Sequence, residues 1–227
     1  MRMKQLLFGL VIVGLAQFGP SLPKASAGLI LNFGQTSNTN TITGTKTSDT
    51  GFTISGTDVA IQITQIDPTS GLTPPISAFL NLNLTSTAAA GSFAGIAVFQ
   101  AFSGSVQITS GAGGSGVNYL STTTLAGLLL GINGGATSSF GNTPGDVTFS
   151  SSVFGPLGNP MDISLQLGNQ TPTLALQGNS LQSFTASVTG TASATIPEPS
   201  SLVTAMIGFA AVAPLVRRRF CKTDSRT

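Results

Sequence analysis

Ile76-Ser77-Ala78-Phe79-Leu80-Asn81-Leu82-Asn83-Leu84 repeats its apolar residues every second position. Successive side chains of a strand point to opposite faces. The spacing therefore puts Ile76, Ala78, Leu80, Leu82 and Leu84 on one face and Ser77, Phe79, Asn81 and Asn83 on the other. The same parity recurs in Val59, Ile61 and Ile63 against Ala60, Gln62 and Thr64, and in Ile163, Leu165 and Leu167 against Ser164 and Gln166. It appears again in Phe184, Ala186 and Val188 against Thr185, Ser187 and Thr189. One apolar and one hydroxyl- or amide-bearing face is the pattern of an antiparallel sheet with a wet side. Turn clusters at Thr69-Ser70-Gly71, Gly111 to Gly116, Gly134-Gly135, Thr143-Pro144-Gly145 and Leu157-Gly158-Asn159-Pro160 separate the runs. Together they predict an all-β body over 28–195, an antiparallel β-sandwich of jelly-roll kind.

One segment departs from period two. Leu125, Leu128, Leu129 and Ile132 recur at i, i+3, i+4 and i+7, with Thr122 to Thr124 placed as caps and Gly131 and Gly134 near the end. This predicts one short helix packed on a sheet. Ten phenylalanines, among them Phe33, Phe52, Phe93, Phe99, Phe102 and Phe184, are expected to supply aromatic area to the core.

Composition narrows the chemistry. The 227 residues are 7% charged and contain no His, no Trp and one Cys. Without imidazole there is no His-dependent triad and no His ligand, and a single Cys makes neither a zinc cluster nor an internal disulfide. No catalytic residue, metal site or cofactor is expected, and any chemistry would fall to seven carboxylates. The formal charge of +2 suggests an anionic partner, but eight of the nine basic residues lie at the ends. Between Gly28 and Pro199 one cation, Lys46, faces six anions, a net −5 that repels phosphate backbones and argues against nucleic acid.

Those end charges flank apolar runs. Arg2 and Lys4 precede Leu6 to Gly19, after which come Pro20, Pro23 and Ala25-Ser26-Ala27. Basic start, short apolar helix and small residues at Ala25 and Ala27 make residues 1–27 a signal peptide, cut after Ala27 by signal peptidase. The 14 apolar residues fall short of the roughly 20 that an uncleaved anchor needs. At the other end Ser201 to Val216 carries no charge and runs into Arg217-Arg218-Arg219. Sixteen residues rise only ~24 Å as a helix against ~30 Å of hydrocarbon, a short transmembrane helix lengthened by its flanks or by snorkelling arginines. The arginines stop transfer and hold the tail in the cytoplasm. Cys221 lies beyond them, on the reducing side.

Ile196-Pro197-Glu198-Pro199-Ser200 stands immediately before that helix. The order Pro-Glu-Pro-Ser, short apolar helix, Arg cluster and chain end resembles the PEP-CTERM sorting signal of bacterial exported proteins. The resemblance covers residues 196–227, and the eight residues Phe220 to Thr227 make a tail longer than is usual in that family. It implies recognition at Pro197, Glu198, Pro199 and Ser200 by an exosortase-type membrane peptidase, which would remove helix and tail. It also implies an inner-membrane-tethered precursor and then a place at the cell surface or in an exopolysaccharide or biofilm matrix. The residues give a physical reason for the motif: two prolines remove two N–H donors, so the strip joins neither the preceding strand nor the helix interior.

Within the body, Gly111-Ala112-Gly113-Gly114-Ser115-Gly116 matches G-x-G-x-x-G, but the next carboxylate is Asp146 and Val117-Asn118-Tyr119-Leu120 does not open a helix, so the string reads as a turn. Asp67-Pro68, Pro144-Gly145-Asp146 and Pro160-Met161-Asp162 read as turn chemistry rather than a glycosidase pair. Calcium held by aspartates from separate loops stays open as a minor reading. The expected function is a non-enzymatic surface or matrix protein. Two alternatives remain: a carbohydrate-binding module, for which Tyr119 is the sole Tyr and Trp is lacking, and a permanently membrane-anchored surface protein.

Overall fold

The computed structural model describes residues 27–37, 41–142 and 146–196. The strands follow one another around a ring of eight lanes. β1 (Gly28–Gln35) and β2 (Ile42–Lys46) share the first lane, and β3 (Phe52–Ile66) is the second. β4 (Ile76–Ser86) continues into β5 (Gly91–Phe93) as the third, followed by β6 (Ala97–Thr109) and β7 (Asn118–Ile132). β8 (Ser138–Gly141) and β9 (Val147–Ser150) share the sixth lane and β10 (Gly158–Thr171) is the seventh. After the small hairpin of β11 (Leu176–Gln177) and β12 (Ser180–Leu181) comes β13 (Phe184–Thr195), the eighth. β13 pairs with β10 on one side and with β1 and β2 on the other, so the ring closes.

The body is therefore an antiparallel up-and-down β-barrel, not a sandwich or jelly roll. Every lane pairs with its sequence neighbour, whereas a Greek-key sandwich has crossovers and keeps open edges. Alternating strands serve either architecture. Closure depends on β13 returning to pair with β1 and β2, from Gly28–Ala194 to Gly44–Phe184, a pairing no local pattern announces.

The predicted parity holds: Ile61, Leu80, Leu82, Leu165 and Val188 are buried, and Gln62, Asn83, Gln166 and Thr189 are exposed. Eight strands leave an interior that side chains can just fill, and here large residues are matched to glycines. A Cβ on Gly190 would lie 2.6 Å from the Phe33 ring and 2.8 Å from Leu165, and one on Gly44 would lie 2.7 Å from Phe184 and 2.8 Å from Phe52. The Phe52 ring meets Phe102 edge-on at 6.3 Å and Phe184 at 5.7 Å. Larger residues at either glycine would overpack the core.

The short helix expected around Leu125 to Ile132 is strand β7. Gly127 and Gly131 turn inward, where a Cβ would collide with Phe140 and with Leu174. Leu125 and Leu129 are buried while Leu128 and Ile132 face out, so the helical spacing was two strand faces superimposed. Thr122 caps nothing: its hydroxyl accepts from Val106 N–H (2.8 Å) at a bulge, and the Thr123 and Thr124 hydroxyls bond Thr148. Among the described residues the helical pieces are two three-residue 3₁₀ turns, Pro68–Ser70 and Ala112–Gly114, and no helix is long and apolar enough to cross a membrane. The expected signal helix and transmembrane helix lie outside the described residues.

Both barrel ends are covered. At the rim farthest from Gly28, the β10–β13 connection inserts Leu174 and Leu181, both fully buried, with Ser180 Oγ donating to Gly51 O (3.0 Å). At the rim of Gly28 and Thr195, the 151–157 loop buries Phe154, and Tyr119 and Met161 are buried in the same core. The apolar core of the described residues runs from Ile30 to Ala194, so residues 28–196 close on themselves and carry their own core.

Candidate functional site

The strongest functional signals of the sequence sit at the chain ends, and the barrel determines where those ends leave. Ala27 directly precedes β1, whose first residue, Gly28, pairs with Ala194 near the end of β13. Both chain ends thus emerge from one rim. Thr195 Oγ1 donates to Asn159 O (3.0 Å), and Ile196 is half-buried against the core. Thr195 and Ile196, the last described residues, are thus tied to the barrel. Ala25, the expected sorting residues Pro197, Glu198, Pro199 and Ser200, and Arg217, Arg218 and Arg219 lie outside the described residues.

The aspartates are scattered: Asp58 lies in β3 and Asp162 in β10, where Pro160-Met161-Asp162 is strand rather than the expected turn, and Asp49, Asp67 and Asp146 lie in loops. Asp58 occupies a bulge in β3 at φ 50°, with its N–H bonded to Asn81 Oδ1 (3.0 Å). Its carboxylate accepts from Gly113 N–H (2.6 Å) and Asn81 Nδ2 (3.3 Å). This pins the Gly111–Gly116 string, with Gly113, Gly114 and Gly116 at positive φ, against the outside of β3 and β4 as the β6–β7 turn. Asp67 caps the Pro68–Ser70 turn by accepting from Thr69 N–H (2.9 Å) and Thr69 Oγ1 (2.6 Å). Asp49 pairs loosely with Lys46 at 3.9 Å, while Lys46 Nζ donates to Gln177 O (2.7 Å). Among the described residues no three of His, Cys, Asp and Glu come close enough to hold a metal ion.

Shallow depressions mark the surface of the described residues, and three of them are notable. One of about 420 Å³ lies beneath Phe149, Ser151, Phe154 and Leu157 and has no carboxylate in its lining. The others, of about 410 and 370 Å³, carry one carboxylate each, Asp67 and Asp146. Hydrolysis by paired carboxylates requires two on one cleft, and none of the three supplies them. Tyr119 is only 6% exposed and offers no face for a sugar ring.

What the sequence reading missed lies on the outside of the barrel. Phe93 and Phe99, expected in the core, face solvent beside Ile96, Leu128, Leu130 and Ile132. The signal was present in Leu128-Leu129-Leu130-Gly131-Ile132, a run apolar at both strand parities. Comparison with family models, with curated proteins and with solved structures gives no match.

Proposed function

We propose that this chain is an exported, non-enzymatic β-barrel presented at the cell surface or in an exopolysaccharide matrix, sorted and released through its Pro197-Glu198-Pro199 signal. The observation that carries this reading is the shared rim. A signal peptide cut after Ala27 and a sorting helix beginning at Ser201 both attach beside the Gly28–Ala194 pair. Removing both therefore takes no lane and no described core residue from the barrel. Pro197 also suits a position just past β13, because proline has no N–H with which to continue a ladder. The partners are signal peptidase, the export machinery and an exosortase-type peptidase.

The test replaces Pro197, Glu198 and Pro199 by alanine in the full chain. Export depends on residues 1–27 and continues, while the protein stays with the membrane fraction through Ser201 to Val216. Neutral residues at Arg217, Arg218 and Arg219 act differently, letting the marginal span slip through or misorient. Release of the alanine variant at the wild-type level contradicts the reading and leaves a permanently anchored surface protein in its place.

A carbohydrate-binding role is the second reading, favoured by an outer surface of hydroxyls and amides. Thr53 and Ser55 on β3 lie beside Thr85 and Asn83 on β4, and Asn83 beside Ser105 on β6, with no charge among them. Such a face makes many weak hydrogen bonds to a glycan. Retardation of the barrel in gels containing the host's own polysaccharide measures it.

A further inference from the structure

Leu128, Leu130 and Ile132 on β7, Phe99 on β6, Phe93 on β5 and Ile96 in the turn between β5 and β6 are 37–76% exposed. Register joins them into one patch. Ala97 stands opposite Phe93 on one side and Ile132 on the other, Phe99 opposite Leu130, and Ala101 opposite Leu128. Ala94 and Gly95 both take positive φ in this tight turn, and Asn133 N–H donates to Ile96 O at 2.7 Å, fixing it beside β7. At roughly 180 Å² per large side chain the six expose about 600 Å², the top of the range for the largest apolar patch on a monomer. With the adjoining Ala94, Ala97, Ala101 and Ala126 the face nears the ~800 Å² that each partner gives to a standard interface. It carries no charge, and Asp146 stands only at its margin, beside Leu128 and Ala126.

We propose that this face binds a second copy of the same chain, forming a two-fold symmetric dimer. The area matches what a stable pair needs, and an uncharged apolar face is complementary to itself. A lipid surface fits less well. Between Gly28 and Ile196 there is one lysine against five aspartates, so anionic headgroups repel the barrel, and the basic flank of an interfacial anchor is missing. The chain's own C-terminal apolar segment is joined to the barrel through Ile196 at the opposite rim, and the twelve residues of β13 run ~40 Å between rims. Sugar is disfavoured because Ala94, Gly95, Ile96 and Ala97 offer no side-chain hydrogen bonds beside the Phe93 ring. The dimer leaves the rim with both chain ends uncovered, and it depends on the barrel alone, whatever processes those ends.

The test uses residues 28–196, which carry the whole described core. Sedimentation velocity across the micromolar range should show a dimer that tightens with salt, because two net-negative bodies meet. Phe93→Ser, Leu130→Thr and Ile132→Thr combined should weaken association at least tenfold with an unchanged far-UV spectrum, since Thr suits an outer strand position. Should that variant fail to fold, Leu130→Cys decides, because residues 28–196 contain no other cysteine. Oxidation should link Leu130→Cys into dimers but not Thr189→Cys, which lies on the far side of the ring. A wild type that stays monomeric throughout, or that binds neutral phosphatidylcholine vesicles as a monomer, overturns the proposal. So does a triple variant that dimerises as tightly as wild type, or cross-linking that is equal at 130 and 189.

Discussion

Leu165→Asp is expected to unfold the barrel, and Gln166→Asp, one residue on, to leave it folded. Leu165 is 1% exposed and points into the ring between Phe140 and Gly190. A carboxylate there loses its hydration and meets no cation, since the one described lysine, Lys46, is engaged with Gln177 O at the far rim. Loss of the leucine and burial of an unpaired charge together exceed about 4 kcal/mol, a large part of the 5–15 kcal/mol that holds a domain together. Gln166 faces water between Ser139 and Thr189, where a surface change stays within about 0.5 kcal/mol. Urea denaturation followed by far-UV circular dichroism separates the two. Equal sensitivity would mean that the strand register is wrong.

Deleting residues 28–36 should be as damaging, because it removes half of the lane that closes the ring. Ile30, Leu31 and Phe33 are at most 1% exposed, and each contributes about 1.5–3 kcal/mol by burial. Their loss also frees the edges of β3 and β13 as templates for aggregation. The truncated domain is expected to show no cooperative thermal transition and to precipitate. Deleting 197–227 instead should leave the melting profile unchanged, since the core ends at Ala194. A truncated domain that melts cooperatively as a monomer would show that the β1 lane is a dispensable edge, as in an open sandwich.

Parity was legible in the sequence because it is local. Ile61 beside Gln62 and Leu82 beside Asn83 declare their faces without reference to anything distant. Closure was not, because Gly28 and Ala194 are separated by nearly the whole domain and neither carries a distinguishing side chain. β7 misled for a different reason. Its outer face is as apolar as its inner one, and inward Leu125 and Leu129 interleave with outward Leu128 and Ile132 at helical spacing. The error and the surface patch thus share one cause. Asp67 was readable as turn chemistry from its neighbouring proline, whereas the grip of Asp58 on Gly113 spans 55 positions and left no local mark. The proposed sorting and cleavage motifs are local in the sequence, and the barrel adds that its two described ends, Ala27 and Ile196, lie at one rim.

Intact mass with terminal sequencing of the protein recovered outside the producing cell tests the processed-barrel claim most directly. The expected product begins at Gly28, ends at or near the Pro197-Glu198-Pro199 motif, and has lost Ser201 to Val216 together with Arg217, Arg218 and Arg219. A product that keeps the arginines in every fraction, or that keeps residues 1–27, would contradict it.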